Sequence, residues 1–303
     1  MTRCVIAIPT YNGNELWKEV VSNLKKYVPS DITIQIVDSG STDGTVELAS
    51  EAGFKVMKIR SEDFNHGGTR NLAVSEYLNE FDIAIFLTQD AIPEKGFIEE
   101  IIRSFNDPLV VCAYGRQLPH EDANPIAQHA RFFSYPSTSK INDMTTVSNN
   151  GIKTVFMSNS FSAYRLSVFK ELGGFPSNTI LCEDMFFTAK AILSGYKSAY
   201  VSKAIVRHSH NYTPLQEFRR YFDIGVFHKD CSWIQQKFGG TGGEGKKYIL
   251  SELKYLLKNG AFWIPVSVLN NFMKIIGYKL GKNYHKISKS LILNFSMHKK
   301  YWR

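Results

Sequence analysis

ITIQIVDSGSTDGT, residues 32–45, decides the fold class. Residues 32–37 are mostly apolar and β-branched, the composition of a buried strand. The chain then turns through Asp, Ser and Gly, and Asp43-Gly44 opens a helical stretch running to residue 52. Asp38 therefore stands where a strand ends and a loop leads to a helix. The same grammar repeats on both sides of this stretch. RCVIAI (3–8) precedes a helix over 14–27, FKVMKI (54–59) one over 68–80, DIAIFLT (82–88) one over 94–105, and LVVCAY (109–114) supplies a further strand. Strands alternating with helices at this spacing predict a parallel sheet with right-handed crossovers. In such α/β folds the carboxyl edge of the sheet is where ligands bind. Besides Asp38, Gln89-Asp90 and Glu183-Asp184 fall at such edges, the layout of an enzyme holding a nucleotide and a metal side by side.

At 303 residues, with 44% hydrophobic and 21% charged residues, the chain has the material for a large folded core. Its net charge of +8 is unevenly spread. Residues 241–303 hold twelve Lys or Arg against two acids, leaving 24 basic against 26 acidic groups in the first 240 residues. Cys4, Cys112, Cys182 and Cys231 are widely spaced with no CxxC pair, which excludes a zinc-ribbon or disulfide-framework reading. The N-terminus enters a strand without a leader pattern, so a cytoplasmic location is expected.

From 116 to 153 the periodicity dissolves, and a functional lid or insert is expected. A strand near 160–164, helices over 165–172 and 183–195, strands near 198–207 and a helix over 214–238 follow. GGTGGEG (239–245) reads as a flexible hinge into a basic helical tail over 246–303.

Several residues carry chemistry on their own. Asp90, at a strand end and followed by Ala91 and Pro93, suits a single carboxylate ligand for Mg²⁺ or Mn²⁺, with a helix cap as the structural alternative. His208 in HSHNY (208–212) adds an imidazole, which tolerates Mn²⁺ better than Mg²⁺. FNHGGTRN (64–71) reads as an anion-binding loop, its glycines allowing close backbone approach and Arg70 reaching a phosphate, although it lacks the P-loop spacing. Glu183-Asp184 precedes Met185, Phe186 and Phe187, a dry flank that raises a carboxylate toward useful base strength. Two acids serving only the helix dipole are the competing reading.

IPTYNGNE (8–15), VDSGSTDGT (37–45), FNHGGTRN, TQDAIP (88–93), LGGF (172–175), Glu183-Asp184 and HSHNY together resemble family 2 glycosyltransferases of the GT-A fold over about residues 3–235. The wording of FNHGGTRN and TQDAIP is similar to the rhamnosyltransferase branch of bacterial surface polysaccharide synthesis. The resemblance implies a Rossmann-like mixed sheet flanked by helices, with a nucleotide-binding half over 1–115, a catalytic half over 116–238, and a helical basic extension. It also implies an inverting transfer with Asp184 as catalytic base and Glu183 supporting the site or the acceptor. Thr10, Tyr11, Asp38, Ser39, His66, Gly67, Arg70, Gln89 and Asp90 would hold the donor, Asp38 accepting the imide N–H of a uracil or thymine, with a turn-capping Asp in a Gly/Ser loop as the competing reading, and Asp90 with His208 would hold Mg²⁺ or Mn²⁺. The favoured donor is dTDP-L-rhamnose with a UDP-hexose second, and the implied acceptor is a lipid-linked glycan. Gln89 replaces the first acid of the family's Asp-x-Asp, which leaves the ribose contact open.

Among other classes, a nucleotidyltransferase needs a Gly-rich basic loop near residues 8–20, which is missing, and no GxGxxG follows the first strand for a dehydrogenase. A non-catalytic sugar-nucleotide or glycan-binding module remains the alternative, with the intact Asp184 against it. In the tail, AFWIPVSVLNNFMKIIG (261–277) is apolar but interrupted by Pro265, Asn270, Asn271 and Lys274, too broken to span a bilayer. An interfacial helix on the anionic inner face of the cell membrane is expected, with Phe262, Trp263 and Ile264 inserting. A helical pair packed on the body is the alternative. A nucleic-acid partner is not expected.

Overall fold

The computed structural model describes residues 2–240 and 242–302. Its strands are β1 (Cys4–Thr10), β2 (Thr33–Asp38), β3 (Lys55–Lys58), β4 (Ile83–Leu87), β5 (Ile92–Pro93), β6 (Val110–Leu118), β7 (Lys140–Asn142), β8 (Phe161–Arg165) and β9 (Lys197–Arg207). They form one sheet in the order β3-β2-β1-β4-β8-β6-β9-β5, with β7 also on β9. The helices are α1 (Asn14–Tyr27), α2 (Thr45–Glu51), α3 (His66–Val74), α4 (Phe97–Arg103), α5 (Pro125–Ser134), α6 (Val147–Asn150), α7 (Leu166–Glu171), α8 (Glu183–Leu193), α9 (Pro214–Asp230), α10 (Ser232–Phe238), α11 (Gly242–Asn259), α12 (Ile264–Lys282) and α13 (Lys289–Phe295).

The expected run of strands and helices through residue 115 is present, and β1 to β4 are mutually parallel. The sheet is mixed rather than parallel throughout, because β8 enters antiparallel between β4 and β6. Apolar periodicity marks a segment as a strand but carries no information on its direction or neighbours. Along β1 the two faces alternate. Cys4, Ile6 and Ile8 pack with Trp17 and Leu24 of α1 and Phe97 of α4, while Val5 and Ala7 pack with Val74, Phe169 and Phe187 on the other side. Burial on both faces is why these strands read as continuous apolar runs.

Residues 116–153, where the periodicity dissolves and a lid or insert was expected, hold several regular elements. Residues 116–118 extend β6, α5 starts at Asn124-Pro125 with the Asn124 side chain accepting the Ala127 N–H at 2.9 Å, and β7 pairs with β9. The single helix expected over 214–238 breaks at Cys231 into α9 and α10. The expected hinge at 239–245 is partly helix, since α11 begins at Gly242.

The tail helices pack on the body. A Cβ on Gly225 of α9, or on Gly277 or Gly281 of α12, would overlap the facing backbone, so these helices touch main chain to main chain. Ile292 of α13 joins the cluster of Phe222, Val226 and Ile234. Asp223 Oδ2 then accepts the N–H groups of Met297 (2.9 Å) and His298 (3.0 Å), which turns the chain back toward the carboxyl edge of the sheet.

Candidate active site

The register of two strands assembles the first cluster. β5 pairs antiparallel with the end of β9, Ile92 opposite Arg207, so the residues just before β5 lie beside those just after β9. Asp90 Oδ2 is thereby 3.4 Å from His208 Nε2 and 3.6 Å from His210 Nε2. One donor atom from each of these three residues lies within 4.8 Å of the others. Behind them, His208 Nδ1 meets Gln117 Oε1 at 2.9 Å, and Arg131 Nη1 donates to the same oxygen at 2.6 Å. An oxygen already accepting from arginine takes the Nδ1 proton of His208 and fixes the ring with Nε2 facing Asp90. Burial raises the Asp90 carboxyl, but His208, His210 and Thr88 outweigh it and hold it well below the usual range. Burial, followed by the charge of His208, lowers His210 to about 4, which leaves a neutral imidazole at pH 7. One carboxylate and two imidazoles converging in so small a space fit a divalent cation. A cavity of about 600 Å³ opens beside them, lined by His120, Asp122, Arg207, Asn211 and Tyr212 among others.

The second cluster stands at the head of α8. Cys182, just before the helix, has φ of 59°, a left-handed conformation costly for a residue with a Cβ. It presents Glu183 and Asp184 together. The half-buried Asp184 accepts the Asn159 N–H at 3.0 Å and its neighbour Met185's N–H at 2.7 Å. Burial first, and then the charge of Glu183, pushes its carboxyl up to about 7. Glu183 is 4% exposed, accepts Asn159 Nδ2 at 2.8 Å and pairs with Arg70 Nη1 at 3.1 Å. Against burial, Arg70, His66 and Asn159 keep it below its ordinary value, so it stays charged beside Asp184. Glu183 is thus a buried support of Asp184, the first of the two roles expected for it. Arg70 is likewise inward, its Nη1 pairing with Glu183 and donating to the His66 carbonyl at 3.0 Å. Gly67 answers a packing need, since a Cβ there would overlap the Pro176 carbonyl.

The remaining expected donor residues line one edge. Asp38 is 1% exposed and takes Thr10 Oγ1 (3.0 Å), Ser41 Oγ (2.5 Å) and the N–H groups of Gly40 (3.0 Å) and Ser41 (2.9 Å), the turn-capping arrangement. Ser39 Oγ donates to the Thr10 carbonyl at 3.0 Å. Gln89 binds the Tyr11 backbone at both ends, accepting its N–H at 2.7 Å and donating to its carbonyl at 3.0 Å. The glutamine that replaces an acid therefore pins the Tyr11 loop, leaving the Tyr11 ring half exposed. His66 Nε2 meets His298 Nδ1 at 3.3 Å.

Several participants had no sequence signal strong enough to find them. His210 could have been read from the HSH spacing, because alternate residues of an extended segment share a side. Gln117 and Asn159 sit in stretches without motif character, yet one link joins the clusters: Gln117 Nε2 donates to Ser158 Oγ at 2.9 Å, and the next residue, Asn159, holds both acids of α8. Arg131 and Arg220 both lower His210 electrostatically, after burial and His208, and with Arg207 they are cations near the Asp90 cluster. From the tail, Lys300 Nζ donates to the Ser61 carbonyl at 2.9 Å and lies 5.6 Å over the Tyr11 ring.

A mixed α/β sheet with carboxylates and histidines gathered at its carboxyl edge is the build of a GT-A glycosyltransferase. Residues 5–173 match the model of Glycosyl transferase family 2, and the chain belongs to that family of inverting enzymes. It is 53% identical over 302 residues to the O-antigen chain rhamnosyltransferase RfbN of Salmonella typhimurium (strain LT2), covering 99% of this chain and 96% of that one. To the O-antigen chain rhamnosyltransferase WbaN of Salmonella anatum it is 52% identical, covering 100% and 96%. The fold is also that of the mannosyltransferase PcManGT from Pyrobaculum calidifontis, solved with GDP-Man and Mn²⁺, with a TM-score of 0.58 at 16% identity over 99% of this chain and 84% of that one.

Proposed function

We propose that this glycosyltransferase moves L-rhamnose from dTDP-L-rhamnose to a hydroxyl of a lipid-linked surface glycan, at the inner face of the cell membrane. The observation that carries the reading is Asp184, a half-buried carboxylate pushed up to about 7 and oriented by two backbone N–H groups, in a chain 53% identical along its length to an O-antigen chain rhamnosyltransferase. Asp184 takes the proton of the acceptor hydroxyl. That oxygen forms a bond to the anomeric carbon of rhamnose as the bond from this carbon to the diphosphate oxygen breaks. A β-linked donor gives an α-rhamnoside by this inversion.

The thymine is taken at the β1–β2 edge beside Tyr11 and Asp38. Asp90, His208 and His210 would hold Mn²⁺ or Mg²⁺, which when bound neutralises charge developing on the departing diphosphate. The imidazole-rich donor set favours Mn²⁺ of the two. Arg131 and Arg220, cations near His210, contribute to the same diphosphate field.

The test is a donor screen with purified protein, reading released nucleoside diphosphate from dTDP-rhamnose, UDP-glucose, UDP-galactose and GDP-mannose. Release from dTDP-rhamnose far above the others is expected. Preferential turnover of a UDP-hexose would replace the donor, and no turnover of any donor in the presence of Mn²⁺ and glycan acceptor would favour a binding module.

A further inference from the structure

Through α11 and α12 the usual distribution of polarity is inverted. α12 turns Ser267, Asn270 and Lys274 inward, while Val268, Leu269, Phe272 and Ile275 stand outside. On α11, Glu252 is 1% exposed and accepts from Tyr248 OH (2.8 Å), Ser267 Oγ (2.5 Å) and Asn271 Nδ2 (2.6 Å). Lys274 pairs with Glu217 at 3.2 Å. Meanwhile Leu250, Leu253 and Leu257 are exposed, and Phe262 in the turn between the helices is 89% exposed. The outward residues recur at spacings of three and four on each helix, so each forms a stripe on a single face. A chain surrounded only by water gains by doing the reverse, because each buried Leu or Phe stabilises the fold and each buried polar group must be compensated. Inside, Glu252 is held by Tyr248, Ser267 and Asn271 and Lys274 by Glu217, and the outward apolar residues await an apolar medium.

Charge identifies that medium. Lys246, Lys247, Lys254, Lys258 and Lys279 are exposed around these stripes. The sole acid among residues 246–303 is Glu252, which is buried. A second copy seated here would bring lysines against lysines with nothing to neutralise them, whereas an anionic bilayer offers phosphates above and acyl chains below. Among the described residues no helix is long and apolar enough to cross a membrane. We infer that the α11–α12 hairpin is an interfacial docking face that lies in the headgroup region of an anionic bilayer, with Leu250, Leu253, Leu257, Phe262, Val268 and Phe272 pressed into the acyl boundary. This deepens the membrane location in the functional reading and gives it a surface. Phe262 remains the tip expected from the sequence, but Trp263 and Ile264 are half-buried and the leucines of α11 take their place.

The experiment is flotation of the full chain with vesicles of phosphatidylglycerol and phosphatidylethanolamine, or of phosphatidylcholine alone. The intact protein floats with the first and poorly with the second, and high salt weakens without abolishing the binding. Leu257→Glu/Phe262→Glu/Phe272→Glu lowers partitioning by roughly tenfold or more, with melting temperature and donor hydrolysis unchanged. Lys254→Glu/Lys258→Glu lowers binding to the anionic vesicles, a second route to the same surface. Wild-type binding by both variants would overturn the assignment. So would failure of the intact chain to bind, with a concentration-dependent dimer that the triple variant abolishes, which would make the face a contact between copies. No sugar nucleotide or glycan is present in flotation, so failure of docking and failure of the proposed transfer are separate results.

Discussion

Replacing Glu183 by Gln moves the acid limb of the pH–rate profile to lower pH. Asp184 is pushed up to about 7 by burial and then by Glu183's charge. Both carboxylates are held by Asn159, Glu183 through Nδ2 at 2.8 Å and Asp184 through the backbone N–H at 3.0 Å. At an effective dielectric constant of about 20 a like charge this near gives a repulsion of about 2 kcal/mol, or between about one and two pH units. Asp184 works as a carboxylate, so the wild type loses kcat/KM as pH falls through about 7. Glu183→Gln retains activity down to about pH 5 to 6. Stability runs the other way: with its folded pKa raised, Asp184 contributes stability that is full below about pH 4 and lost as pH rises through about 7. The assay is initial-rate kinetics across this range with thermal melts at each pH, because opening a buried ion pair costs about 3 to 5 kcal/mol. An acid limb that stays near 7 in a folded variant would refute the electrostatic account of Asp184.

His210→Ala weakens Mn²⁺ binding by at least about tenfold in calorimetry, and unchanged affinity would remove His210 from the metal group. Gln117→Leu frees the His208 ring and lowers Mn²⁺ affinity by about tenfold, with a smaller effect on melting temperature; a variant with intact affinity would make the Gln117 contact purely structural. Gly281→Leu forces α9 and α12 apart and lowers stability by about 2 kcal/mol or more, read as a drop in melting temperature, whereas an unchanged melt would contradict the close backbone packing.

The first 115 residues were legible because β1, β2, β4 and β6 are buried along nearly their whole length and the strands are punctuated by Gly, Asp or Asn at turns. Asp90, His208 and Asp184 were legible because each stands at a strand or helix end beside an apolar run. Arg70 and Gly67 occupy such a position too, but a glycine needed for close approach and an arginine needed for charge have the same spelling whether the neighbour is a ligand or Pro176 and Glu183. The antiparallel entry of β8 and the link from Gln117 to Asn159 depend on pairing between distant segments, which local periodicity does not encode. The tail was read as apolar and basic, but its inversion, with Glu252 and Asn270 inside and Leu257 and Phe272 outside, emerges only from the partners each helix meets.

The most direct test of the account is Asp184→Asn, which keeps the shape of the side chain and removes the base. Donor affinity and melting temperature should remain near wild type, while transfer from dTDP-rhamnose to glycan acceptor falls by roughly a hundredfold or more. Near-normal turnover in the folded variant would contradict the assignment of Asp184 as the group that takes the acceptor proton.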